Sequence, residues 1–290
     1  FKLASKAGYS EKYIIDTGLV IKNERGIIDR FRGRVIFPIR SMAGRIQGFG
    51  GRVISSSLKT AKYLNSPESD IYHKSKVLFG IYELKKTIAQ EDVCYLVEGY
   101  TDVIQMHQKG IENVVSSSGT ALTSEQIRLI RRLTSNIVIL FDGDAAGLRA
   151  AIRGIDLILE QSMNVRICSF PEGEDPDSFA KSNSSEQIKI YLREHSKDFI
   201  QFKTDLLLEE AANDPVKKAT KIREIVQSIS RIPDVIKQEI YIRECASQMD
   251  VSEEILFNTL AQEKSKKSAP IRKIKSAKVN QEFLNQKSDF

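Results

Sequence analysis

Val93-Cys94-Tyr95-Leu96-Val97-Glu98-Gly99 is a run of apolar residues that stops at a carboxylate and a glycine. The same design recurs down the chain. Asn113-Val114-Val115 leads into Ser116-Ser117-Ser118-Gly119-Thr120, Ile137-Val138-Ile139-Leu140-Phe141 stops at Asp142, and Val165 to Phe170 stops near Pro171. Helical patterns fill the gaps: one ending at Gly110, one over Thr123–Leu133, and a long one over Ala145–Gln161. Thr123 followed three residues later by Gln126 predicts a capping box. Short β-rich runs alternating with helices and joined by short loops predict a parallel α/β sheet.

Upstream, residues 1–20 read as helical with a turn at Gly18. Arg30 to Arg40 alternates as a strand in which Pro38 implies an edge or an end. Ser41-Met42-Ala43-Gly44 is a turn, and glycine-rich Arg45–Ile54 forms the second arm of a hairpin. Residues 55–65 read as a polar loop. Downstream of Asp177 the strand signals cease, and residues 185–265 read as amphipathic helices broken near Pro215 and Pro233. From about Glu263 the chain is rich in Lys and Ser, as a linker is. The expected class is α/β plus α. A mixed basic α+β subdomain spans 1–90, a central parallel α/β sheet 91–184, a helical subdomain 185–265, and a linker 266–290.

The 290 residues suffice for one large or two modest domains. No run of about 18 apolar residues exists, which argues against a membrane-spanning helix. Phe1-Lys2-Leu3 lacks an initiator Met and an apolar signal core, as expected for a piece of a longer protein. Cys94, Cys168 and Cys245 are far apart, so neither a zinc site nor a disulfide framework is expected, and a reducing cytoplasmic compartment fits. A monomer is the default. Net charge is +6, but residues 1–62 hold 13 Lys/Arg against 4 Asp/Glu, so the rest is net acidic. A basic front beside a carboxylate-bearing middle suggests a polyanion groove next to a metal site; a solvated basic surface is the plain alternative.

Six carboxylates fall at strand ends. Glu98 follows the first strand, with Asp102 in the next helix. Asp142 and Asp144 follow the third strand, and Asp175 and Asp177 follow the fourth. In an open parallel sheet, ligands bind beyond the carboxyl ends of the strands. Crowded carboxylates raise one another's pKa values unless a cation neutralises them. Oxygen donors without His or Cys suit Mg²⁺ or Mn²⁺, and paired ions serve phosphoryl transfer. Taken singly, Asp-x-Asp reads as readily as a helix cap, and Asp175-Pro176-Asp177 as a turn and N-cap.

Leu96-Val97-Glu98-Gly99-Tyr100-Thr101-Asp102 resembles the first motif of the Toprim fold, and Phe141-Asp142-Gly143-Asp144-Ala145-Ala146-Gly147 its Asp-x-Asp motif. Glu174-Asp175-Pro176-Asp177 resembles the bacterial primase form of the following motif. Arg30–Ile39, Gly48-Phe49-Gly50-Gly51-Arg52, Lys62-Tyr63-Leu64-Asn65-Ser66-Pro67, and His73-Lys74 before Leu78-Phe79-Gly80 resemble DnaG-type primase motifs in the family's order. The resemblance covers roughly residues 1–265. It implies DNA-primase chemistry during replication: short RNA made from ribonucleoside triphosphates on single-stranded DNA, leaving an RNA–DNA hybrid. Glu98, Asp142 and Asp144 would be the central metal ligands, with Asp102, Asp175 and Asp177 completing the site. Arg30, Arg34, Arg52, Lys62, Asn65 and Lys74 would bind nucleic acid or nucleotide, and Gly48, Gly50 and Gly51 would admit a close backbone approach. The resemblance further implies an amino-terminal zinc-binding domain and a helicase-binding domain beyond this chain. Competing readings are another Toprim enzyme (topoisomerase or nuclease), a haloacid-dehalogenase-like phosphatase, and a non-catalytic single-stranded-DNA clamp or helicase adaptor.

Overall fold

The protein is described by a computed structural model covering residues 1–54, 60–119, 121–141, 145–211 and 214–268. Gly8 takes φ +88°, a conformation only glycine adopts cheaply. It splits the expected amino-terminal helix into α1 (Lys2–Lys6) and α2 (Glu11–Asp16). After the turn at Gly18, β1 (Val20–Asn23) and β2 (Gly26–Asp29) form an antiparallel hairpin that the sequence did not signal.

The expected hairpin is present as β3 (Arg34–Arg40) and β4 (Ile46–Val53), and β3 is an edge strand, where Pro38 costs no ladder bond. Part of the expected polar loop is instead a third strand, β5 (Tyr63–Asn65), paired to β4. Its three residues are too few to show an alternation, so composition misled the reading. Phe37 and Ile39 are buried on one face of this sheet opposite Gly50 and Gly48. A Cβ on Gly48 would lie 2.6 Å from the Tyr72 ring, and one on Gly50 2.5 Å from the Tyr100 ring. These glycines therefore admit aromatic rings at their Cβ positions.

A 3₁₀ turn at Lys74–Lys76 and α3 (Ile81–Glu91) lead into the second sheet. It comprises β6 (Cys94–Val97), α4 (Tyr100–Gln108), β7 (Val114–Ser116), α5 (Ser124–Arg131), β8 (Asn136–Phe141), α6 (Ala145–Glu160) and β9 (Asn164–Ser169). Strand order is β10-β9-β8-β6-β7, and the β9, β8, β6 and β7 ladders are parallel. The chain leaves β6 toward β7 and returns to β8 on the other flank. The topological switch point thus lies between β6 and β8. Phe79 exchanges two backbone hydrogen bonds with Ser116, covering part of the β7 edge. The capping box of α5 is formed as expected, with Thr123 and Gln126.

Beyond β9 come α7 (Pro176–Ser182), α8 (Ser185–His195) and a two-residue antiparallel edge strand, β10 (Lys197–Asp198). Four helices follow: α9 (Phe199–Ala211), α10 (Pro215–Ile229), α11 (Val235–Met249) and α12 (Glu253–Ser268). Pro215 opens α10, where its missing N–H costs nothing. One hydrophobic core runs from Leu78 and Cys94 through Ile155 and Ile225 to Leu260, so these helices share the core of the sheet. All three cysteines are buried and free, and burial pushes the Cys168 thiol up to about 12. A second, smaller core holds Phe37, Ile39, Tyr72, Val77 and Tyr100.

Gly50→Ala is expected to destabilise the protein by about 1–3 kcal/mol through overpacking against Tyr100. Chemical denaturation monitored by circular dichroism checks this, and an unchanged midpoint would show that the ring moves aside freely.

Candidate active site and nucleic-acid interface

The switch point opens into a cleft of about 430 Å³ whose lining includes Glu98, Ser117, Gly119, Leu122, Phe141 and Arg153. Glu98 follows the last residue of β6 and is exposed, at the end of the strand where open parallel sheets bind ligands. Phe141 ends β8 at the same rim, and Asp142 and Asp144 follow it in sequence but lie outside the described residues.

Three other expected ligands have visible local duties. Asp102 is buried in the first turn of α4 and accepts the Gly99 N–H at 2.8 Å. Asp175 caps α7, accepting the Ser178 N–H at 2.7 Å. Asp177 pairs with Lys181 at 2.5 Å. Packing of α4 on α7 brings the Asp102 and Asp177 helices to one side of the sheet. Among the described residues, no three His, Cys, Asp or Glu side chains cluster tightly enough to hold a metal ion. The donor set is nonetheless suited to a hard cation, because Glu98 offers carboxylate oxygens to an open cleft and two further carboxylates follow the adjacent strand in sequence.

The basic residues divide into two groups. Arg34 donates to the carbonyls of Gly51 (3.2 Å), Lys62 (3.3 Å) and Ala61 (2.9 Å), tying β3 to β4 and to the segment entering β5. Arg30 donates through Nε to the Asn65 carbonyl at 3.3 Å. Both act visibly as braces. Arg52 and exposed Lys62 instead flank the Tyr63 ring, each cation 5.8 Å from its centroid. The Tyr63 hydroxyl lies 3.2 Å from Thr101 Oγ1, which sets this cationic pair beside the first turn of α4 and hence near Glu98.

Lys74 sits in the 3₁₀ turn. Its N–H donates to Glu68 Oε1 at 3.0 Å, which holds the Glu68 carboxyl below its usual range. His73 pairs with the same carboxylate at 3.2 Å. Gln126, fully buried, donates to the carbonyls of Lys74 (3.1 Å) and Val77 (2.9 Å), and the Thr123 hydroxyl donates to Ser75 at 2.6 Å. The start of α5 thereby fixes the lysine turn next to Leu122 on the cleft wall. Sequence inspection found the Thr123–Gln126 box but not this second duty of Gln126.

Asn65 makes contacts that the sequence did not reveal. Its Oδ1 accepts the Tyr100 hydroxyl at 2.8 Å and its Nδ2 donates to the Ser118 carbonyl at 3.1 Å. Tyr100 reaches it by crossing into the second core, stacked on Phe37 with centroids 4.9 Å apart and planes 6° from parallel. Burial pushes the Tyr100 hydroxyl up to about 12, so it stays a donor at neutral pH.

A doubly wound parallel sheet with an exposed glutamate on a cleft at its switch point is the Toprim-like class, and the Toprim-like family model matches residues 95–180. The model for the DNA primase catalytic core, N-terminal domain, matches residues 1–85, and that for the DnaB-helicase binding domain of primase matches 200–254. The DNA primase of Clostridium acetobutylicum is 35% identical over 272 residues, covering 92% of this chain and 44% of the relative. That of Staphylococcus aureus is 35% identical over 257 residues, covering 88% and 42%. The chain thus spans less than half the length of these relatives. The crystal structure of a DNA primase domain from Pseudomonas aeruginosa superposes with TM-score 0.79 at 33% identity, covering 89% of this chain and 83% of that one. The structure of the DnaG primase catalytic domain bound to ssDNA gives 0.78 at 32%, covering 87% and 81%. The chain belongs to the DnaG-type DNA primase family.

Arg34→Lys should cost about 1 kcal/mol, since an ammonium cannot reproduce a fork to three carbonyls. It should leave the salt dependence of single-stranded-DNA binding near that of the parent. Unaltered stability with a shallower salt slope would make Arg34 a phosphate ligand instead of a brace.

Proposed function

We propose that this chain is the polymerising core of a primase, carrying out template-directed ribonucleotidyl transfer on single-stranded DNA. The observation that carries the reading is the juxtaposition across the seam. Glu98 opens onto the switch-point cleft, and the Arg52–Tyr63–Lys62 cluster is tied to the helix that begins two residues later. A binding module for nucleic acid gains nothing from an exposed carboxylate beside its basic surface.

In this reading Glu98, Asp142 and Asp144 hold Mg²⁺ or Mn²⁺, and Asp102, Asp175 and Asp177 support them while capping or pairing locally. Bound divalent ions supply charge neutralisation for the acidic cluster and for the incoming triphosphate. Arg52, Lys62 and Lys74 attract phosphates without reading sequence, which suits a template of arbitrary sequence. In the reaction a 3′-hydroxyl oxygen bonds to the α-phosphorus of a ribonucleoside triphosphate. The bond to the bridging oxygen breaks, pyrophosphate leaves, and the hydroxyl proton passes to solvent. The product is RNA paired to its DNA template.

The subdomain limits 1–90, 91–184 and 185–265, with a linker over 266–290, belong to the same proposal. So does a helicase partner, supported by the helicase-binding model's match over 200–254. That match falls on α9 to α11, so this helical part of the chain is itself a candidate for helicase contact, alongside any later domain. Among the described residues no helix is long and apolar enough to cross a membrane.

Asp142→Ala should abolish primer extension on a single-stranded template while leaving DNA affinity near that of the parent. Continued synthesis would reject the metal assignment. Lys62→Ala should lower the slope of log K against log salt by about 0.7, one single-strand phosphate contact. An unaltered slope measured by fluorescence anisotropy would remove Lys62 from the phosphate path.

A further inference from the structure

The loop that follows β7 forms one wall of the cleft, since Ser117 and Gly119 line it together with Glu98. Its backbone is unusual. Ser118 has φ +59° and Gly119 has φ +79°, so two successive residues are left-handed and one of them carries a side chain. A non-glycine residue holds this conformation only when its surroundings impose it. Here the Ser118 carbonyl accepts the Asn65 carboxamide, and its Oγ lies 3.1 Å from the hydroxyl of Ser116. Asn65 is in turn oriented by the Tyr100 hydroxyl on its Oδ1, while its backbone carbonyl receives Arg30.

An asparagine carboxamide has two lone pairs and two N–H donors, and here each end makes one bond to a protein partner, which fixes its orientation. We propose that Asn65 is a positioning residue: it holds Ser118 left-handed and thereby shapes the wall against which the nucleoside triphosphate sits, without touching the nucleotide itself. Three separate parts of the chain meet at this carboxamide. They are β5 of the basic sheet, the first residue of α4 two positions after Glu98, and the loop after β7. The same contact therefore couples the basic sheet to the cleft. The inference rests on the nucleotidyl-transfer reading of that cleft.

The experiment follows from glycine's indifference to the sign of φ. Asn65→Ala should lower kcat/KM for ribonucleotide incorporation about tenfold or more, as small misplacements at a reacting centre do. Affinity for single-stranded DNA, measured by anisotropy, should stay within about twofold, because no phosphate contact is removed. Adding Ser118→Gly to Asn65→Ala should restore most of the loss, since glycine adopts the required conformation without the anchor. Failure of that rescue in a folded double variant would overturn the proposal and favour direct contact between Asn65 and the nucleotide. Should Asn65→Ala fold poorly, Tyr100→Phe keeps the ring stack while removing the hydroxyl that orients Asn65 and also hydrogen-bonds the Ser118 side chain. It should reduce kcat/KM in the same direction, and full activity would equally count against the proposal. Loss of synthesis in Asp142→Ala tests the cleft reading separately, so the two failures are distinguishable.

Discussion

Tyr100 holds the molecule's two halves in register. It belongs by sequence to the parallel sheet, following Glu98 and Gly99, yet its ring is buried in the core of the basic sheet against Phe37 and Phe79. The site for that ring exists because Gly50 lacks a side chain. Burial of an aromatic ring contributes roughly 1.5–3 kcal/mol, with stacking adding about 0.5–1.5. The geometric consequence matters more than the energy. A strand end carrying a carboxylate cannot shift relative to the Arg52–Lys62 surface without withdrawing that ring from its core.

The opposite flank is fixed by different means. Helices α9 to α12 continue the hydrophobic core of the parallel sheet. At their junction with α6, Lys203 is largely covered and paired with Asp156 at 3.5 Å, while Arg231 meets Asp156 at 3.1 Å and also pairs with Glu160. Burial lowers the Lys203 pKa and the neighbouring Asp156 opposes that shift. Partly exposed pairs of this kind add little net stability. Their effect is to fix how the helices sit on α6, the helix that lines the cleft through Ala151, Arg153 and Gly154.

Much of this was legible in the sequence for a physical reason. A parallel sheet buried on both faces must be written as apolar runs, and its ligands must follow those runs, so Glu98 could be placed from its position after Val97. The α5 capping box and the edge placement of Pro38 follow from equally local rules. What escaped depends on contacts between distant segments. Arg30, Arg34 and Asn65 carry polar groups suited to phosphate, and no local rule reveals that backbone carbonyls and Tyr100 also engage them. Alternate glycines at 48 and 50 on one strand face were the available clue, since a face without side chains invites rings. The β5 strand and the β1–β2 hairpin were too short to show a period.

The central claim is that the strand-end cleft, held against the basic sheet by Tyr100, is where divalent ions and nucleotide meet. The most direct measurement is a crystal of this protein soaked in manganese and read by anomalous scattering at the metal edge. The account predicts density within coordinating distance of the Glu98 carboxylate, on the side facing the Arg52–Lys62 cluster. Manganese bound only elsewhere at saturating concentration, with Glu98 unligated, would contradict it.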